Sequence, residues 1–275
     1  MSSLTTTSSL PSESRVGLPL AFVWQEYLQI LRSRRMKLLL FFVVYMVFGL
    51  PFILKKPPAE VLKYVNVWFG EGSTALKLLL FIWTDIAMNK MAVFCGLILA
   101  GGVFVDERAR GTIQVFLSKP ISRPMYFLVK VLAANMAFFT LYGIAVLAAS
   151  LYFPFAAKGF DLWSFWALSS THCWAASFGV TFSALMAVTF HKKVSAMLVS
   201  VLVLFMLVGV TFIGFYNPKL IIIGYLNPFY HGISLIAKLG NPIVLHIVLS
   251  TLVLWLFHAG VLALGCWRVS KLEDL

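Results

Sequence analysis

Residues 106–123 read DERARGTIQVFLSKPISR, and they stand apart from nearly everything around them. Asp106, Glu107, Arg108, Arg110, Lys119 and Arg123 are charged, Gln114 is polar, and Gly111-Thr112 and Pro120 supply turn chemistry. The flanking segments, 86–105 and 126–153, are oil by comparison. Across all 275 residues, 61% are hydrophobic and only 12% charged, with a mean hydropathy of +0.93. Soluble domains carry about 25% charged residues. Apolar runs of about 20 residues match the hydrocarbon thickness of a bilayer when helical. The composition therefore specifies an all-α polytopic membrane protein, and residues 106–123 form a polar loop at one membrane face.

Working outward, six transmembrane spans are expected, at about 36–54, 86–105, 126–153, 163–190, 194–215 and 243–267. Ahead of them, Leu20, Val23, Trp24, Tyr27, Leu28 and Leu31 recur at helical spacing, while Gln25, Glu26, Gln29 and Arg32 fill much of the other face. Such a helix lies in the membrane surface with its apolar face down. Residues 55–73 read as an external loop, and 76–84 as either an interfacial helix or the outer part of a long second span. Asp85 and Lys90 are then placed near the outer end of that span. Five residues apart, they stand about 140° around an α-helix and make a poor pair. An ionisable residue inside a membrane is nonetheless a functional candidate, so both are candidate pathway residues. Asn217-Pro218, Asn227-Pro228 and Asn241-Pro242 are turn signals that bound two apolar stretches too short to cross. These read as re-entrant or interfacial half-helices, and Asn227 and Pro228 join the candidate pathway set.

The net charge is +12. In a membrane chain, Lys and Arg mark cytoplasmic loops rather than a nucleic-acid surface. The cluster Arg32, Arg34, Arg35, Lys37, the loop 106–123, Lys192-Lys193 and Arg268 all fall on one side, which places both termini in the cytoplasm. Lys130, near the inner end of the third span, is expected to snorkel. Residues 1–16 are rich in Ser and Thr and read as a disordered cytoplasmic tail ahead of a membrane domain at 17–275. They lack the basic and apolar regions of a cleavable signal. Cys95, Cys173 and Cys266 each lie alone in apolar runs, the pattern of small buried residues rather than of a disulfide framework.

Within the polar loop, Thr112 can cap a short helix after Gly111. Ile113, Phe116 and Leu117 make an i, i+3, i+4 stripe, and Pro120 ends it. An amphipathic helix of this kind suits the groove of a cytoplasmic partner. DERARGTIQVFLSKPISRPMYFLVK, from Asp106 to Lys130, resembles the loop signature of ABC-2 type transporter permeases. The shared positions are the acidic pair, Gly111-Thr112, Leu117-Ser118, Pro120, Ser122-Arg123 and Lys130. Gln114 departs from it, because a Glu is common there. WQEYLQILRSRRMKLLL is similar to the family's N-terminal elbow helix, with Trp24, Glu26 and Arg32 in it. FSALMAVTFHKKVSAM resembles its turn between spans four and five, and YLNPFYHG its Asn-Pro element before the last span. The resemblance implies a half-transporter of the plasma membrane. Two permease subunits, in a homodimer or a paralogous heterodimer, would form the pathway in the lipid bilayer. Each would dock a separate cytoplasmic ATP-binding cassette ATPase. Asp106, Glu107, Gly111, Thr112, Ile113, Phe116, Leu117, Pro120 and Arg123 would be the coupling element. ATP and Mg would bind the ATPase, so this chain itself binds no cofactor and is not the enzyme. Export is the implied direction.

The residues agree with that expectation. The sequence contains no G-x-x-x-x-G-K-[ST] phosphate loop. Asp85 is the only carboxylate near the body of a span, placed at its outer rim, which argues against an ion-driven carrier. His246 and His258 lie about 18 Å apart along a helix, and no HExxH or paired-acid motif argues for a membrane enzyme. A second reading stays open. Some relatives of this family serve motility or metalloenzyme maturation, so the chain can be an assembly subunit rather than a bulk exporter.

Overall fold

The computed structural model describes residues 20–55, 59–69, 75–101, 103–110, 121–156, 160–239 and 243–271. All regular structure among them is helical. Helix α1 is Leu20–Arg32, α2 Arg34–Lys55 and α3 Ala59–Phe69. The long helix α4, Leu76–Glu107, is followed by α5 (Arg123–Ala156), α6 (Leu162–Thr189) and α7 (Lys193–Val210). Three short helices come next: α8 (Ile213–Tyr216), α9 (Ile221–Tyr225) and α10 (Pro228–Ala237). The last is α11, Ile243–Ser270.

Five of these, α4, α5, α6, α7 and α11, are long and apolar enough to cross a membrane. The chain is an all-α, multi-pass membrane protein. Helix α2, with 22 residues, is about 33 Å long at 1.5 Å per residue. Helix α6 is the hub. It packs against α4, α5, α7, α10 and α11 and buries most of its surface. Its start is set locally: the Asp161 carboxylate accepts the Ser164 backbone N–H at 3.0 Å, satisfying one orphan donor of the first turn. The Ser164 hydroxyl and, after it, this backbone N–H hold the Asp161 carboxyl below its ordinary pKa. Where α4 crosses α6, the backbones meet through glycine. A Cβ on Gly96 would lie 2.5 Å from the Gly179 carbonyl oxygen, and one on Gly179 would lie 2.8 Å from that of Ala92. Small residues at a crossing let membrane helices approach this closely.

Three expectations are corrected and one alternative is decided. Residues 59–69 are helix, not open loop, because Val61, Val65, Trp68 and Phe69 form a stripe. Val65 and Phe69 are buried, and Trp68 stacks on Phe212 with ring centroids 4.5 Å apart. Of the two alternatives for 76–84, the structure takes the second: they belong to the long helix, which begins at Leu76. Asp85 and Lys90 consequently sit in the body of a 32-residue helix, not at its outer rim. The argument against ion coupling from carboxylate placement therefore lapses. Finally, Asp85 and Lys90 do pair, at 3.3 Å. Residues Ile82–Asn89 are π-helical. A π turn takes in one extra residue, so residue i+5 returns over residue i.

Candidate functional site

Asp106 and Glu107 close the Asp106 end of α4 and point into two different clusters. Asp106 accepts from Lys193 Nζ at 2.9 and 2.8 Å, on Oδ1 and Oδ2, and from Arg35 Nη2 at 3.3 Å. Those partners stand at the starts of α7 and α2. Glu107 accepts from Lys130 Nζ at 2.5 Å and from the Tyr126 hydroxyl, both on α5. Lys130 also pairs with Glu26 of α1 at 2.7 Å. Two adjacent carboxylates thus tie α2, α5 and α7 to the end of α4, and Lys130 carries the second cluster on to α1.

The second cluster is the more enclosed. Lys130 is 5% exposed and Glu26 also 5%. An unpaired charge there would face a desolvation cost of several kcal/mol. Lys130 does not snorkel, because two carboxylates supply what headgroups or water would otherwise give. Glu26 is not on an outward polar face either. The bundle-facing side of α1 is Val23, Glu26, Tyr27 and Ile30, with Val23 packed on Val129 and Ala133. The Tyr27 hydroxyl meets Thr140 Oγ1 at 2.9 Å. Hydrophobic periodicity assigned Glu26 outward because it scores every carboxylate as solvent-seeking.

The other residues of interest divide between ends. Trp24 lies on the exposed side of α1 beside Tyr27, and Arg32 is exposed at the end of that helix. Arg123 opens α5. Gly111, Thr112, Ile113, Phe116, Leu117 and Pro120 lie outside the described residues, as do the tail 1–16 and Asn241-Pro242. Asn227 and Pro228 start α10, where Asn227 Oδ1 accepts from the Phe229 N–H at 3.0 Å. Asn227 Nδ2 donates to the Leu207 carbonyl at 2.5 Å. This joins the half-helix to α7, not to Asp85 and Lys90.

The middle of the bundle holds a separate polar chain that periodicity did not mark. The Tyr142 hydroxyl lies 3.0 Å from His172 Nδ1, and His172 Nε2 lies 2.9 Å from Asn89 Oδ1. Asn89 Nδ2 donates to Asp85 Oδ1 at 3.2 Å. An amide oxygen only accepts, so Nε2 carries the ring hydrogen and Nδ1 accepts from Tyr142. Every donor in the chain points toward Asp85. Lys90 completes it, donating to the Asp85 backbone oxygen at 2.8 Å as well as to the carboxylate. A lone His in an apolar run was the sequence signal for this chain.

A family model described as ABC-2 family transporter protein matches residues 20–271. No individual curated protein matched at a significant level.

Proposed function

The chain belongs to the ABC-2 transporter family, and from that membership we propose a permease subunit worked by a separate cassette ATPase. In this reading the subunit pairs with a second permease subunit, identical or paralogous, in the plasma membrane. Helix α2 is the sixth crossing, α1 is the elbow helix, and both termini are cytoplasmic. ATP and Mg stay on the partner, and transport is outward. Residues 111–120 form the coupling segment.

The single observation that supports this reading most is the double anchoring of Asp106 and Glu107. They lead directly into residues 111–120, and Tyr126 and Lys130 follow them. A push on that loop reaches α4 and α5 through the backbone, and these ties carry it on to the neighbouring helices. It reaches α1 at Glu26, α2 at Arg35, α5 at Lys130 and α7 at Lys193. Charge-assisted hydrogen bonds are short and directional, so they transmit displacement better than apolar sliding contacts. The polar chain from Tyr142 to Lys90 crosses from α5 through α6 to the body of α4 and marks the stretch where a pathway would run; Asn227 and Pro228, on α10 against α7, are a separate candidate.

The test is purification in mild detergent with identification of what comes down. The parent is expected to bring an ATPase and a second permease copy. Phe116→Asp with Leu117→Asp should lose the ATPase while keeping the permease pair, because it places charge in an apolar groove. Normal co-purification and vectorial transport by that double variant would overturn the coupling role.

A further inference from the structure

Beside the Asp106 cluster is a cavity of about 220 Å³ lined by Arg35, Leu38, Leu97, Ile98, Lys193 and Met197. It is open to the outside of the bundle and amphipathic along its depth. Arg35 and Lys193 form the rim, their side chains 48% and 40% exposed. Leu38 is one helical turn in from Arg35, Met197 one turn in from Lys193. Leu97 lies about 13 Å along α4 from Asp106 at 1.5 Å per residue. The cavity therefore runs from a cationic mouth to an apolar wall, over the distance from a headgroup into the acyl region.

Charge counting decides what fits. Two cations share one carboxylate, which leaves one positive charge in excess. Lys193 uses two of its contacts on Asp106 and Arg35 one, while a guanidinium has five N–H donors and an ammonium three. Donors therefore remain at the rim. Arg34, Lys37 and Lys192, all exposed at the same end of the bundle, add to the positive field. A phosphodiester carries one negative charge, and basic pockets between membrane helices take such headgroups. A second cation on the headgroup would stand against the rim.

We propose that this cavity binds one anionic phospholipid from the surrounding bilayer, with its phosphodiester between Arg35 and Lys193 and the start of an acyl chain along Leu38, Leu97, Ile98 and Met197. The site goes beyond coupling to an ATPase, and its test does not depend on one. Native mass spectrometry on detergent-purified protein would compare retention of phosphatidylglycerol and phosphatidylcholine, with inorganic phosphate as competitor. One phosphatidylglycerol per chain should remain, held at least about fivefold better than phosphatidylcholine. Lys193→Gln should lower retention about fivefold. Met197→Trp fills the apolar wall with the charges intact and should lower it too. Met206→Trp, at an exposed position farther along α7, should not. Equal retention of the two lipids would overturn the proposal, as would indifference to Met197→Trp. Displacement by inorganic phosphate would reduce the rim to a free-anion site. Disulfide formation between two copies of a Met197→Cys variant, without lipid retention, would show that a second chain covers this face. Either outcome also refutes the proposal.

Discussion

Lys130→Met removes the cation that, among the described residues, bridges the carboxylates of Glu26 and Glu107. With Lys130 present, Glu26, Glu107 and Lys130 sum to one negative charge, and without it to two. The Glu26 side chain is 7% exposed and that of Glu107 21%, so water can reach Glu107 far better than Glu26. Breaking a buried pair by deleting one partner costs about 3–5 kcal/mol. Most of that cost should fall on Glu26. Glu107 keeps the Tyr126 hydroxyl. Glu26→Gln alone should cost only about 1–2 kcal/mol, because an amide oxygen still accepts from the ammonium. The double variant should then be more stable than Lys130→Met by about 2 kcal/mol, a non-additivity expected of residues in one network. Unfolding in mixed detergent–SDS micelles, followed by tryptophan fluorescence, reads all three. A loss below about 1 kcal/mol for Lys130→Met would mean that no unpaired charge is left behind. A double variant worse than the Lys130→Met single would refute the charge count directly.

Gly96→Ala and Gly179→Ala should each push α4 off α6, since the clashing atoms are backbone carbonyls that have no rotamer to escape into. A loss of about 1–3 kcal/mol is expected in the same assay, and parental stability would show that the crossing has slack. Lys90→Met should leave the Asp85 carboxylate in the body of α4 with Asn89 as its remaining side-chain donor. Because Lys90 is partly exposed, the stability loss should stay near about 1–2 kcal/mol. Transport should fall further than stability, and Asp85→Asn in the same chain should restore stability but not transport. Full transport by Lys90→Met would remove this pair from the pathway.

What the sequence made legible follows one physical line: features set by local rules were readable, and those set by distant partners were not. The apolar runs gave the long helices because a bilayer imposes length on any chain that crosses it. Asn217 and Asn227 could be read as breaks, and each does cap a short helix by accepting an N–H two residues on. The inward turn of Glu26 had no local cause. Its reason is Lys130, a helix away, so no periodicity within 20–32 could have exposed it. The Asp85–Lys90 pair was hidden for a different reason: α-helical spacing sets the two apart, and the segment is π-helical. A carboxylate and a lysine five apart inside an apolar run could have raised that possibility. The same reasoning bears on residues 106–107. As adjacent residues on a helix end, they point about 100° apart and so reach two different sets of helices. One carboxylate could have held either Arg35 and Lys193 or Lys130, but not both. A pair is the least whose side chains bind α2, α5 and α7 to the end of α4. A neutral residue at position 106 would release Arg35 and Lys193 from α4, and one at position 107 would remove one of the carboxylates on Lys130 while its pair with Glu26 stays.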